Sequence, residues 1–323
     1  MAEHPTHLHA DPPRVLLIFI DGLGIATCTD PDRNPLQDPA LGILRIVPRL
    51  AGGAVAVPGF AARPIDATLG VDGLPQSATG QATLFTGVNA AALAGRHING
   101  FPNRILRRLL EQESLFLKLA RRGIAGDFIN TFSPEFMRYY RLRRLSVTTW
   151  AALAGGRQLR TFPDQRAGRS LYQDFTNLFL QEQGYDMPLQ TAAAAGRILA
   201  GLTTGCPFML YEYFMTDYAG HSGEPEFARL ILRLLDEFLE SALAGIDLAR
   251  TTVLLTSDHG NIEDLGTRGH TRSPVPLLAW GPGAAALVAR IAALPDVTPA
   301  IVDYLSADSP CDCSLEIGDR SEQ

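Results

Sequence analysis

The chain has 323 residues, 46% of them apolar and 19% charged, a composition that builds a folded core and excludes a disordered polar chain. A formal net charge of −6, with Lys118 as the only lysine among the basic residues, excludes the clustered positive excess that nucleic-acid phosphates require. No stretch approaches the ~18 consecutive apolar residues of a membrane helix and the opening MAEHPTHLHADPPR is not a targeting segment, so a cytoplasmic protein without membrane contact is expected.

In chain order, residues 1–14 read as a tail carrying His4, His7 and His9. VLLIFI at 15–20 is an unbroken apolar run between Pro-Pro-Arg and Asp-Gly, the pattern of a strand buried on both faces. In GLPQSATGQATLFTG, at 73–87, small residues and Ser77 precede a helical run. The serine is therefore expected at or near a helix N-terminus, where partial positive charge favours an alkoxide or a phosphate. A plain helix cap is the other use of such a serine.

Residues 95–205 read differently, with helix-forming stretches such as NRILRRLLEQESLFLKLARRG, the Arg-rich RYYRLRR at 138–144, and one strand, AGDFIN. They are expected to form a small, mostly helical inserted cap or an extra helical layer, leaving 15–94 and 206–323 as the core. FMLYEYF at 208–214, the amphipathic helix PEFARLILRLLDEFLESALAG at 225–245, TTVLLTS at 251–257 and VPLLAWG at 275–281 follow as strand–helix–strand units. The expected fold class is α/β, a mainly parallel central sheet with helices on both faces. Cys28, Cys206, Cys311 and Cys313 form no secreted-type framework, and CDC at 311–313 reads as free thiols because no second pair completes a metal site.

Ligands of open α/β sheets bind beyond the carboxyl ends of the strands. Asp21 follows the first strand, Asp217 and His221 in MTDYAGH follow the second, Asp258 and His259 follow the third, and His270 in RGHTRSPVP precedes the last. Six carboxylate and imidazole groups brought to one place could not be buried unpaired, and divalent cations relieve that cost. The i, i+4 spacing puts Asp217 and His221 on one helical face. Gly260 is expected to let Asp258 and His259 both turn inward, with Asn261 supporting the loop. Any one of these histidines could be an ordinary core residue; three of the four outside the tail in such motifs is a different matter. A serine hydrolase does not fit, since Pro75 stands where the Gly-x-Ser-x-Gly elbow needs glycine.

These motifs resemble the alkaline phosphatase superfamily of metalloenzymes, especially its branch with cofactor-independent phosphoglycerate mutase and phosphopentomutase. IDGLG is similar to that branch's first Asp loop and QSATG to its nucleophile loop; DYAGHSG, SDHGN and GHTRSPVP resemble its later metal motifs in the same order. The resemblance covers 15–90 and 205–306 and implies an alkaline-phosphatase-like fold with two divalent ions, Zn or Mn. It implies one ion held by Asp217, His221 and His270, and the other by Asp21, Asp258, His259 and the Ser77 oxygen. Glu212 matches a third-ion position, but with no partner visible in the sequence it is expected to be structural.

On the same resemblance, Ser77 would attack phosphorus in line and form a phosphoserine. Water then completes a phosphatase cycle, whereas a second hydroxyl of the substrate completes a mutase cycle. Because the chain is shorter than those mutases, a phosphomonoesterase acting on a small phosphorylated metabolite is the leading expectation. An intramolecular phosphomutase on phosphoglycerate or a sugar phosphate is the alternative, and a non-catalytic metal- or phosphate-binding protein is the second. A sulfatase is not expected, as no Cys or Ser followed by Pro-x-Arg stands at the nucleophile. Substrate contacts are sought in the intervening segment: His97, Asn103 and Arg104 in GRHINGFPNR, and Arg169, Tyr172 and Asp174 in AGRSLYQDFT. Arg suits bidentate phosphate binding, although surface ion pairs are its commoner use.

Overall fold

The computed structural model describes residues 12–139 and 145–307. The tail histidines, residues 140–144 of the Arg-rich stretch and the CDC motif lie outside the described residues.

Seven strands form the central sheet: β1 (Arg14–Ile20), β2 (Val55–Val57), β3 (Phe60–Ile65), β4 (Gly126–Phe128), β7 (Phe208–Tyr213), β8 (Thr251–Ser257) and β9 (Val275–Trp280). Two short strands, β5 (Thr131–Phe132) and β6 (Arg160–Thr161), pair apart from it. The order is β2-β3-β9-β8-β1-β7-β4. β8, β1, β7 and β4 run parallel, whereas β9 is antiparallel to β8, and β3 to β9. The sheet is thus mixed, parallel through the strands that end at the candidate site and antiparallel at the far edge. A strand buried on both faces has the same apolar pattern in either direction, which is why VPLLAWG did not declare its orientation.

β1 shows how the core divides. Val15, Leu17 and Phe19 face a layer that includes the helices Ser77–Thr86, Arg104–Glu113, Leu115–Ala120, Val147–Ala154 and Val297–Ser306. Leu16, Ile18 and Ile20 face the opposite layer, with the helices Ala192–Leu202 and Pro225–Gly245. Alternation along one buried strand therefore serves two helical layers. Phe19 meets Phe85 edge to face at 5.4 Å, which fixes the helix that begins at Ser77 against the middle strand.

Much of 95–205 lies within these layers. Leu106, Leu110, Phe116 and Trp150 belong to the first core cluster, Ala195 and Leu199 to the second, and β4 extends the sheet. The 103–123 stretch forms two helices because Ser114 caps the second, its Oγ accepting from Leu117 N at 3.2 Å. A smaller cluster, Phe162, Leu180 and Met187, sits apart near β6. Among the described residues no helix is long and apolar enough to cross a membrane.

Candidate metal and phosphate site

β1, β7 and β8 lie in register, with Ile20 opposite both Tyr213 and Ser257, so the residues that follow each strand emerge at one level. Asp21 extends the ladder by donating its N–H to Tyr213 O at 2.8 Å, and its carbonyl accepts from Thr216 Oγ1 at 2.5 Å at the start of the helix Met215–Ser222. That helix carries Asp217 in its first turn and His221 one turn later, as the spacing requires. An antiparallel bridge between Gly260 and Thr271 then draws His270 alongside His259, their rings stacked 3.7 Å apart.

The side chains converge. His259 Nε2 lies 2.9 Å from Ser77 Oγ, 3.2 Å from Asp21 Oδ1 and 3.5 Å from Asp258 Oδ2. His221 Nε2 lies 3.2 Å from His270 Nε2 and 3.4 Å from Asp217 Oδ2, and His270 Nε2 is 3.6 Å from Asp217 Oδ1. Asp21, Asp258 and His259 bring ligand atoms within 4.8 Å of one another, and so do Asp217, His259 and His270. All seven sequence-derived positions are therefore gathered at one end of the sheet. The structure puts His259 between the two groups.

The donor set fits divalent ions on two independent counts. Asp21 Oδ1 and Asp258 Oδ2 are buried and share one nearby cationic group, the His259 ring at 3.2 and 3.5 Å, so two carboxylates depend on a single proton, a costly state that a divalent cation relieves. The imidazoles are oriented for the same purpose. His221 Nδ1 lies 3.1 Å from Arg268 O and His270 Nδ1 2.8 Å from Pro75 O, so with Nδ1–H donating to those carbonyls the two Nε2 lone pairs face each other. A cation between or beside them makes that arrangement favourable.

Titration follows from the crowding. Burial, then Asp21, pushes the Asp258 carboxyl well above its ordinary value, and the same two causes raise Asp217. For His259 burial favours the neutral ring, but Asp258 and Asp21 together outweigh it and lift the pKa to about 10. Burial, then the neighbouring His259, brings His270 down to about 4, leaving it a neutral donor at physiological pH.

Ser77 is the first residue of its helix, with Gln76 as the N-cap, so its hydroxyl is directed at His259 rather than at the helix backbone. Two glycines admit the neighbours. Gly22 has a left-handed φ of 72°, and a Cβ there would lie 2.7 Å from Asp217 Oδ1. Gly260 has no such φ, which corrects the expected reason for it: a Cβ there would meet the Glu263 carboxylate and Thr271 Oγ1, so what matters is close approach.

Gln81 and Glu263 escaped the motif reading, and Asn261 was expected only to support its own loop. Gln81 donates to Asp21 Oδ2 at 3.1 Å, and Asn261 Nδ2 donates to Asp217 Oδ1 at 2.6 Å. Glu263 is wholly buried and accepts from Gly24 N at 3.0 Å, Asn261 N at 2.7 Å and Thr271 Oγ1. Asn261 and Glu263 stand in the same SDHGNIED stretch as two candidate ligands, which was the available signal. Glu212 does have a partner: Thr148 Oγ1 donates to its Oε1 at 2.6 Å, and burial lifts this carboxyl to about 8.

The proposed substrate contacts divide. Tyr172 lines a cavity of about 650 Å³ that opens beside Ser77, Asp21, Asp217 and His221. The other five are placed elsewhere. Asn103 caps the helix Arg104–Glu113, accepting from Leu106 N at 3.0 Å; Arg104 lines a separate surface hollow with Arg107 and Arg108. Arg169 pairs with Asp164 at 2.9 Å, and His97 Nε2 lies 3.3 Å from Val71 O. Asp174 is spent on its own loop, accepting from the Asn177 and Phe179 amides at 3.2 and 3.0 Å. Arg and Asn beside a glycine-rich turn suit a cap or an ion pair as well as a phosphate, and here the local use prevailed.

The fold is an α/β sheet with the clustered carboxylates and imidazoles beyond the carboxyl ends of its parallel strands. The comparisons bear out the resemblance to the alkaline phosphatase superfamily: residues 187–309 match the family model described as Metalloenzyme superfamily. The 2,3-bisphosphoglycerate-independent phosphoglycerate mutase of Dinoroseobacter shibae is 31% identical over 137 residues, 39% of this chain and 26% of that protein. That of Halobacterium salinarum is 32% identical over 134 residues, with the same coverage. The matched part thus spans about a quarter of the length of these curated relatives. Among solved structures, a protein from Pyrococcus horikoshii superposes with a TM-score of 0.53 at 15% identity, covering 92% of this chain and 98% of that one. The alkaline phosphatase of the Antarctic bacterium TAB5 superposes with a TM-score of 0.52 at 12% identity, covering 93% and 100%. At these identities the likeness is one of fold.

Two predictions arise here. Asn261→Ala frees the Asp217 carboxylate and is expected to weaken divalent-metal binding by ~10–100-fold, read by titration calorimetry; unchanged affinity would remove Asn261 from the positioning role. Glu212 has its folded pKa raised from 4.5 to about 8. Its stabilising contribution is therefore complete below pH 4.5 and is lost as pH rises through 8. In metal-free protein, Glu212→Gln is expected to flatten the urea-unfolding stability between pH 5 and 8, removing a slope of up to ~1.4 kcal/mol per pH unit.

Proposed function

We propose that the chain is a metal-dependent phosphomonoester hydrolase that works through a phosphoserine at Ser77 on a small phosphorylated metabolite. The observation that carries this reading is Ser77 Oγ, at the first position of a helix and 2.9 Å from His259 Nε2, on the edge of the carboxylate and imidazole cluster. Asp217, His221 and His270 would hold one divalent ion, and Asp21, Asp258 and His259 with the Ser77 oxygen the other; zinc and manganese both suit this set. Bound ions would supply the positive charge that favours ionised Ser77 and steadies phosphoryl oxygens.

The rest falls to the chain. The helix N-terminus directs its free N–H groups towards the phosphoryl group, and Ser77 Oγ, its proton released to solvent, forms a bond to phosphorus as the ester P–O bond breaks. The leaving alkoxide takes a proton from solvent. Water then cleaves the phosphoserine, returning the hydroxyl and releasing inorganic phosphate. The cavity is open beside Ser77, which favours water as the acceptor.

A second reading, intramolecular phosphomutase, is favoured by one observation: the relatives are named as phosphoglycerate mutases. Incubating metal-loaded protein with a panel of phosphate esters separates the two. Free phosphate supports the hydrolase, and isomerised ester without free phosphate replaces it with the mutase. A cytoplasmic setting, suggested by the scattered cysteines, belongs to the same proposal.

A further inference from the structure

The 650 Å³ cavity is far larger than a phosphate group, and the wall beyond Ser77 is strongly aromatic: Phe101, Phe132, Phe136, Tyr172, Phe214 and Tyr218 line it. Three of these rings are left open, Phe101 at 58% exposure, Tyr218 at 56% and Phe214 at 40%. Exposed rings gathered at one mouth mark a surface that a ligand covers. They are also held. Tyr218 meets Phe179 and Phe227 edge-on at 6.0 Å each, and it follows Asp217 directly in the helix, so ring and metal ligand keep a fixed relation. Phe132 packs on Phe136 at 4.7 Å.

Polar groups on this wall are neutral apart from those at the metal cluster and Glu212. None of the described lining residues is Arg or Lys. Aromatic faces beside a phosphate-sized site suit a planar ligand that stacks on them.

We infer that the alcohol part of the substrate carries a planar heteroaromatic ring, as a nucleoside 5′-monophosphate does. The phosphate lies at Ser77 and the ring stacks on the open aromatic faces. This rests on the phosphoester reading above, so its test is made on binding, which does not need turnover.

The probes are adenosine 5′-monophosphate and ribose 5-phosphate, which share phosphate and sugar and differ by the base, with 3-phosphoglycerate as a third. Titration calorimetry of zinc-loaded Ser77→Ala protein is expected to show the nucleotide binding at least about tenfold more tightly than ribose 5-phosphate, the size of a base–aromatic stacking contribution. Adding Phe101→Ala or Tyr218→Ala, both at exposed positions, is expected to shrink that advantage. Equal affinity for the two probes, tighter binding of 3-phosphoglycerate, or an advantage that both ring variants leave intact would overturn the inference. A retained nucleotide preference in a protein whose wild type releases phosphate from no ester would overturn the hydrolase reading alone and support this one.

Discussion

Replacing Ser77 by alanine is expected to lower phosphate release from every accepted ester by ~1,000-fold or more, the usual scale for removing a covalent nucleophile. The helix should not suffer. Gln76 is the N-cap, the Ser77 hydroxyl bonds His259 rather than a backbone amide, and alanine is a better helix former than serine. Stability and circular dichroism should therefore match the wild type while acid-quenched protein loses its covalent phosphate label. Phosphate release that continues unchanged in Ser77→Ala would make the nucleophile assignment wrong, whatever the metals do.

Asp258→Asn should have the second-largest effect, and in opposite directions for the two forms of the protein. Asp258 is wholly buried, with the Asp21 carboxylate nearby, so in the metal-free fold its ionised form is disfavoured and its carboxyl is pushed towards protonation. Asparagine removes that conflict and should raise the melting temperature of chelator-treated protein. It also removes a ligand oxygen. Divalent affinity is expected to fall by more than ~100-fold, beyond the loss typical of a supporting residue. For the wild type, metal at a hundred times its dissociation constant should add ~2.7 kcal/mol of stability. The variant should show little of that gain at the same concentration, and differential scanning calorimetry with and without zinc reads both effects.

The same measurement carries a pH dependence. His259 holds a proton in the metal-free protein up to about pH 10, and that proton must leave before its Nε2 can coordinate. Apparent metal affinity of the wild type should thus rise as pH increases from 7 to 9, with proton release detectable in buffers of different ionisation enthalpy. Affinity that is flat or falling over this range would mean that His259 is not a ligand.

How much of this was legible in the sequence depends on how far each feature reaches along the chain. The strands β1, β7 and β8 and the helix Pro225–Gly245 are strong local patterns, and the candidate ligands Asp21, Asp217, His221, Asp258 and His259 follow strands within a few residues. Parallel pairing brings all such strand ends to one edge, so chain order was enough to assemble the set. Ser77 could be placed at a helix start for the same reason, since its helix signal begins next to it. The intervening segment gave weaker guidance. Leu106, Phe116 and Trp150 look like any helix face, and nothing local says whether that face packs on the sheet or on a separate cap.

The sequence by itself therefore determined the fold class, the strand ends and the candidate ligands, because each is written in contiguous or regularly spaced residues. Only the tertiary structure decided the antiparallel direction of β9, the burial of Glu263, the pinning of Asp217 by Asn261, and the placing of Asn103, Arg104 and Arg169 away from the cavity. It alone also gathered Phe101, Phe132, Gln173 and Tyr218 onto one wall. The physical reason is sequence distance: these residues come from separate loops, and each has an ordinary local pattern until the chain closes on itself.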